Sequence, residues 1–254
     1  MAAKTYCSSK PSTSLSLLMT AAMTASCGGS SLPVQRDIDS SVAIPTSARP
    51  PAPASDVFGE LPYVNSELIP APAQGASDVR VSTTGQLGYR DPDGIGAFRS
   101  MCDYSHMNFD DAIVFPGQPG ATHLHVYFGN TSANASTTPS NLLERGNSTC
   151  RGGIANRSAY WLPAMIDTRS GAPMKPSFAH VYYKTGYQGV ANEQIKAPPP
   201  GLRMIAGDSK NTIVKPRWET HAEYGCDSGG QDTIPTCQPG QTLEMHINFP
   251  QCWD

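Results

Sequence analysis

The chain has 254 residues with 23 Gly, 23 Pro and only 15% charged residues, which excludes a helical bundle rich in Ala, Glu, Lys and Leu and suits short strands with many loops. Its formal net charge is -3, with acids and bases interspersed, so no basic face exists for a phosphate backbone and no nucleic-acid partner is expected. No apolar run reaches the length of about 18 residues needed for a membrane-spanning helix.

The first element is an address. Lys4 and Lys10 precede a short apolar stretch, 15–25 (LSLLMTAAMTA), and the composition then changes at Cys27-Gly28-Gly29-Ser30-Ser31. A basic start, a short apolar middle and small residues before a break predict an export signal over 1–26. Thr24-Ala25-Ser26 before Cys27 resembles a bacterial lipobox, with Thr24 standing where an aliphatic residue is usual. Cleavage before Cys27 would leave that thiol to be lipidated, and acyl chains at about 0.8 kcal/mol per buried CH₂ would anchor the protein to a membrane. Gly28 in second place matches the outer-membrane sorting pattern. Ordinary cleavage, leaving a soluble secreted protein, is the alternative.

Residues 27–78 read as a Pro-, Ser- and Ala-rich spacer carrying Pro45, Pro50, Pro51, Pro53, Pro62, Pro70 and Pro72. The folded domain is expected over 79–254. Within it, period-two alternation predicts strands with one buried face. In 122–128, Leu124, Val126 and Phe128 oppose His123, His125 and Tyr127. In 177–184, Ala179, Val181 and Tyr183 oppose Phe178, His180, Tyr182 and Lys184. In 217–224, Trp218, Thr220, Ala222 and Tyr224 oppose Arg217, Glu219, His221 and Glu223. In 242–249, Leu243, Met245, Ile247 and Phe249 oppose Glu244, His246 and Asn248.

Further strands are expected at 111–115, 159–166 and 202–205, and Pro163 makes the second an edge or bulged strand. The Gly-rich stretch 116–120 reads as a tight connection. One short helix is predicted at 139–145, with Thr138 as its cap, Pro139 in its first position and Gly146 as its stop. The sum is a mainly β domain, an antiparallel β-sandwich or jelly-roll-like fold with few short helices.

Cys7 would leave with the signal and Cys27 would be lipidated, so five cysteines remain. In an exported protein these should pair. Cys226 and Cys237 enclose a short polar loop, and Cys102 with Cys150 would staple the ends of the His-rich region. Cys252 is left over, and an unpaired buried thiol is one reading of it.

Three separated motifs carry a resemblance: CDYSHMNFDDAIVFPGQPGATHLHVYFGN at 102–130, NSTCRGGIANRSAYWLPA at 147–164 and TLEMHINFPQCWD at 242–254. Together they closely resemble the secreted domain of unknown function numbered nineteen-ninety-six, which in fungi often accompanies carbohydrate-binding WSC modules. The resemblance covers about 90–254 and implies no agreed activity. It implies further strands beyond the Cys-Trp-Asp motif, where Cys252 would find a partner, so the domain is expected to be incomplete at its C-terminus; a natural short form is the alternative.

The sharpest cluster is His106, Asp110, Asp111, His123 and His125. His123 and His125, two apart on one strand, project from one face. With His106 they would hold a divalent transition metal, leaving positions open for water or substrate. Alternatively Asp110 or Asp111 would orient His123 or His125 as a general base or acid in a reaction on a sugar. Two adjacent acids on an extended chain point to opposite faces, so a second acid such as Glu219 or Glu223 would be needed for glycoside hydrolysis.

The bland alternative is that the histidines only stabilise the sheet and the two aspartates cap a turn. Tyr160, Trp161, Tyr183 and Trp218 offer ring faces to sugars, with Arg157, Tyr182 and Lys184 as further substrate contacts; large aromatics at alternating positions are more often core. Asn130, Asn134, Asn147 and Asn156 begin Asn-x-Ser/Thr sites, which matter only in a eukaryotic secretory path.

The expectation is therefore an exported, lipid-anchored envelope protein, of the outer membrane, that binds or cleaves a polysaccharide. The alternatives are a metal-dependent envelope enzyme or metal-binding protein using His106, Asp110, His123 and His125, and a non-catalytic structural envelope module.

Overall fold

The computed structural model describes residues 62–81, 97–184, 196–207, 214–227 and 230–250, together with the backbone of a strand at Ser16–Met23. Cys27, Cys252 and most of the expected spacer lie outside the described residues. The fold is mainly antiparallel β, as the alternation predicts. The strands are β1 (Ser16–Met23), β2 (Ala97–Asn108), β3 (His125–Gly129), β4 (Ala159–Pro163), β5 (Ile166–Asp167), β6 (Ala172–Pro173), β7 (Phe178–Lys184), β8 (Ala222–Cys226) and β9 (Leu243–Asn248). Seven form one sheet in the order β4-β3-β2-β7-β1-β9-β8, and β5 pairs with β6 in a separate ribbon.

Alternation decides which side chains meet the core. Ala179 and Val181 of β7 and Met245 of β9 are buried, in line with the expected faces, and they join Cys102, Tyr104, Val126, Phe128 and Leu162 in one apolar cluster. Val64, Ile69, Ile166 and Met174 pack against this cluster. Residues 62–78, read from composition as spacer, are therefore laid against the domain. Ala73 N donates to Ser105 O at 2.7 Å, and Ala76 N donates to Ser148 O at 2.7 Å.

Two disulfides join the described cysteines, Cys102 to Cys150 and Cys226 to Cys237, as their positions suggested. The helix expected near 139 is α1 (Pro139–Glu144), where Thr138 accepts from Asn141 N and the Asn141 side chain answers to the Thr138 N–H. Gly146 follows it with φ 76°, a left-handed conformation that suits glycine.

Three expected strands take other forms. Residues 111–115 are turns, because the Asp111 carboxylate captures the N–H groups of Ile113 and Val114, each at 2.8 Å. Residues 202–205 pair with no strand among the described residues. Residues 217–220 form a single helical turn, α2 (Arg217–Thr220), closed by His221 at φ 57°, and only from Ala222 does the chain become extended. Conversely, β2 and β1 were not expected as strands. β1 falls inside the segment read as an export signal, and pairs antiparallel with β7 on one side and β9 on the other.

Candidate functional site

β3 is buried on both faces. Its apolar face meets the core. Its other face carries His125 and Tyr127, which alternation would expose to solvent but which are 5% and 1% exposed. The cross-strand register sets His106 of β2, Tyr127 of β3 and Trp161 of β4 side by side. Their rings form a column, His106 on Tyr127 at 4.7 Å between centroids and Tyr127 on Trp161 at 5.5 Å. Such pairs are worth about 0.5–1.5 kcal/mol beyond their burial.

The two aspartates anchor the loops over this layer. Asp110 accepts from Gly120 N and Ala135 N through its carboxylate, and through its carbonyl oxygen from His125 Nδ1 at 2.8 Å and Tyr127 OH at 2.6 Å. Asp111 accepts from Trp161 Nε1 at 3.2 Å besides its two turn contacts. A carbonyl only accepts, so His125 carries its proton on Nδ1 and its lone pair on Nε2. His106 is assigned likewise: Nε2 donates to Ala133 O at 2.8 Å, and Nδ1 accepts from the Ser105 hydroxyl at 2.9 Å.

Burial keeps these rings neutral. His123 is lowered to about 4, chiefly by desolvation and further by His125 beside it, with Asp111 acting in the opposite sense. His125 and His106 are lowered by desolvation as well, against raising contributions from the backbone carbonyls they bond and from nearby aspartate. Desolvation first, and then Asp110 and Asp111, raise the Tyr127 phenol.

The sequence cluster is thus brought together, but not as a metal triad. His123 and His125 approach to 4.4 Å between ring centroids, whereas His106 lies beyond Tyr127 with both nitrogens engaged. Among the described residues no three His, Cys, Asp or Glu side chains are grouped to hold a metal ion. Asp110 orients His125 through its backbone oxygen, and both carboxylates are occupied by N–H groups.

The expected substrate contacts are dispersed. Arg157 donates to Gly146 O and Leu143 O, capping the end of α1. Trp161 belongs to the buried column, and Tyr183 faces the core with its hydroxyl near that of Tyr160. Tyr182 lies on the far face of the sheet against Arg99. The side chain of Lys184 lies outside the described residues.

A different surface opens where the strand at 217 was expected. Arg217, Trp218, His221, Ala222, Glu223 and Asn248 line a shallow cleft of about 260 Å³, and Trp218 stands 74% exposed at it. Pro216 starts the helical turn, and Arg217 N is tied to Asp232 at 2.8 Å. Lys215 pairs with Glu219 at 2.9 Å and Arg217 with Glu223 at 3.3 Å. Asn248 is fixed by its N–H to His221 O at 2.8 Å.

The family model described as Domain of unknown function (DUF1996) matches residues 111–254, more than half of the chain. The chain belongs to the DUF1996 family. No curated protein and no solved structure matches it.

The DUF1996 match takes in His123, His125, Trp161 and the whole Trp218 cleft. His106, Asp110 and Cys102 lie just before it, although His106 and Cys102 are built into the same sheet and disulfide and the Asp110 carbonyl is bonded by His125 and Tyr127. Of the cleft, sequence reading named Trp218 and Glu223 separately but missed Arg217, His221 and Asn248. Pro216 was the signal against a continuing strand, since it has no N–H for a β-ladder and here stands as the extended N-cap of the turn.

Proposed function

We propose that this DUF1996 protein is an exported, lipid-anchored envelope protein whose β domain binds polysaccharide at the Trp218 cleft. The observation that carries the reading is the exposure of a large aromatic ring beside an acid, a guanidinium, an amide and an imidazole. An indole face stacks on the apolar face of a pyranose, while such polar neighbours exchange hydrogen bonds with its hydroxyls. Trp218 contributes nothing to the core, so its exposure is not explained by packing. Burial of the His125 layer supports binding rather than cleavage, because its polar atoms hold loops together. Two disulfides favour an oxidising compartment, and the signal and Cys27 supply the anchor.

Affinity electrophoresis through gels containing soluble polysaccharides tests the binding. The wild type should be retarded in at least one gel, and Trp218→Ala should run free with an unchanged circular dichroism spectrum. Equal retardation of the two proteins would refute the cleft. Cys27→Ser should release the protein from membranes, and continued co-fractionation would refute the lipid anchor.

A further inference from the structure

The face of the β2–β7 pair turned away from the core carries a second group of polar side chains. The register sets Arg99 opposite Tyr182 and Met101 opposite His180. The Arg99 guanidinium lies over the Tyr182 ring, 4.6 Å from its centroid, and donates to a Tyr182 hydroxyl at 2.7 Å. His180 meets the same tyrosine edge-on at 5.9 Å. Arg151 is brought alongside by its backbone N–H, which donates to Met101 O at 2.8 Å.

Both arginines are exposed, and neither has an ion-pair partner among the described residues. His180 Nε2 is buried with no hydrogen-bond partner there. The two guanidiniums act together on one ring: after desolvation, Arg99 and Arg151 are what hold the His180 imidazole below its ordinary range. Asp103, the acid on this face, sits opposite Phe178, one pleat repeat further along. Arg99 and Arg151 lie on one face of the sheet, the Cys102–Cys150 bridge setting Arg151 beside Met101. Two guanidiniums there without an ion-pair partner among the described residues, beside a tyrosine hydroxyl, match an oxyanion, to which a planar guanidinium presents paired donors.

We propose that Arg99, Arg151 and Tyr182 form an oxyanion subsite, taking the carboxylate or other anionic substituents of an acidic polysaccharide. The proposal rests on the polysaccharide reading above and adds the charge class of the ligand. Arg99 and Arg151 bind the anion, while Tyr182 holds the Arg99 fork in place and presents its ring to the sugar. The contact is exposed to solvent, so salt weakens it.

The test compares polygalacturonate with its methyl ester, which has the same backbone without the charge. The wild type should bind the free acid more tightly, and Arg99→Gln/Arg151→Gln should remove that preference, with a loss of about tenfold for two charge-assisted contacts at a part-exposed site. Trp218→Ala should weaken both ligands alike. Arg151→Gln alone, at an exposed position, guards against misfolding of the double variant and should lose part of the preference.

A double variant that keeps the wild-type preference would overturn the subsite, as would a wild type that binds acid and ester equally. If the wild type binds neither polymer, the gels decide the polysaccharide reading, and titration with inorganic sulfate decides the subsite alone. Movement of the His180 ring resonances in the wild type but not in the double variant would uphold it. Resonances that stay fixed in the wild type would overturn it.

Discussion

Replacing Asn130 tests how the loops over the sheet are held. Its side chain is fully buried and uses all four of its hydrogen-bonding valences. Nδ2 donates to Leu142 O at 3.2 Å and Arg145 O at 2.9 Å, at the end of α1. Oδ1 accepts from both Ser132 N and the Ser132 hydroxyl at 2.9 Å. Carbonyls only accept and an amide N–H only donates, so the amide has one workable orientation.

At about 1 kcal/mol net per hydrogen bond, four losses set an upper figure near 4 kcal/mol. Ser132 and the exposed end of α1 can regain water, so Asn130→Ala should cost about 2–4 kcal/mol in urea unfolding. Asn130→Asp should cost at least as much, because a buried carboxylate would face two carbonyl oxygens. Asn134→Ala, at an exposed site, should cost under about 1 kcal/mol. The reasoning fails if Asn130→Ala and Asn134→Ala unfold at the same urea concentration. The same geometry bears on the Asn-x-Ser/Thr site: a glycan on Asn130 Nδ2 would replace one of the two N–H groups that bond α1 and would need room at a fully buried atom, so a modified chain should not reach this fold.

Acid should weaken the domain through the layer behind β3. Above about pH 6.5 His123 is neutral in both states; as the pH falls toward 4, the unfolded chain takes up a proton that the folded one refuses. Stability is thus present above pH 6.5 and declines below it, by at most about 3 kcal/mol from His123 alone, with His106 and His125 acting in the same sense. His123→Gln should flatten the fall in urea midpoint over that range, and an unchanged slope would show that this ring is not the cause. The two disulfides should differ in worth. Cys102–Cys150 spans 48 residues and Cys226–Cys237 spans 11, so loop entropy assigns about 4 and about 3 kcal/mol to them. Differential scanning calorimetry of the two Cys→Ser pairs should show the larger drop for the first.

Alternation exposed much of the fold because β7 and β9 keep one face wet and one dry. It failed where that premise fails. β3 is dry on both faces, so His125 and Tyr127, polar by type, are interior by position. β2 went unread because its inward residues include Ser100 and Cys102, small groups that leave no apolar stripe. At 217–220 and 111–115 local chemistry overrode the pattern: Pro216 began a helical turn, and Asp111 bonded to the backbone two and three residues ahead.

The candidate sites were legible in the same uneven way. Short spacing was enough to bring His123 and His125 together, but only the folded chain shows that Asp110 and Asp111 spend their oxygens on backbone N–H groups and that His106 is stacked against Tyr127. The subsite at Arg99, Arg151 and Tyr182 joins residues far apart in sequence, and no local motif marks it. β1 adds a physical constraint. An apolar run that suits an export signal also suits an interior strand, and here it lies between β7 and β9. Cleavage before Cys27 would take that strand away and leave β7 and β9 two strand spacings apart, about 9–10 Å. The oxyanion subsite stands on β2 and β7 and the Trp218 cleft on α2, β8 and β9, so each survives such processing as a local unit. Their separation depends on whether β1 remains, whereas Met245, buried in the common core, still ties β9 to the rest.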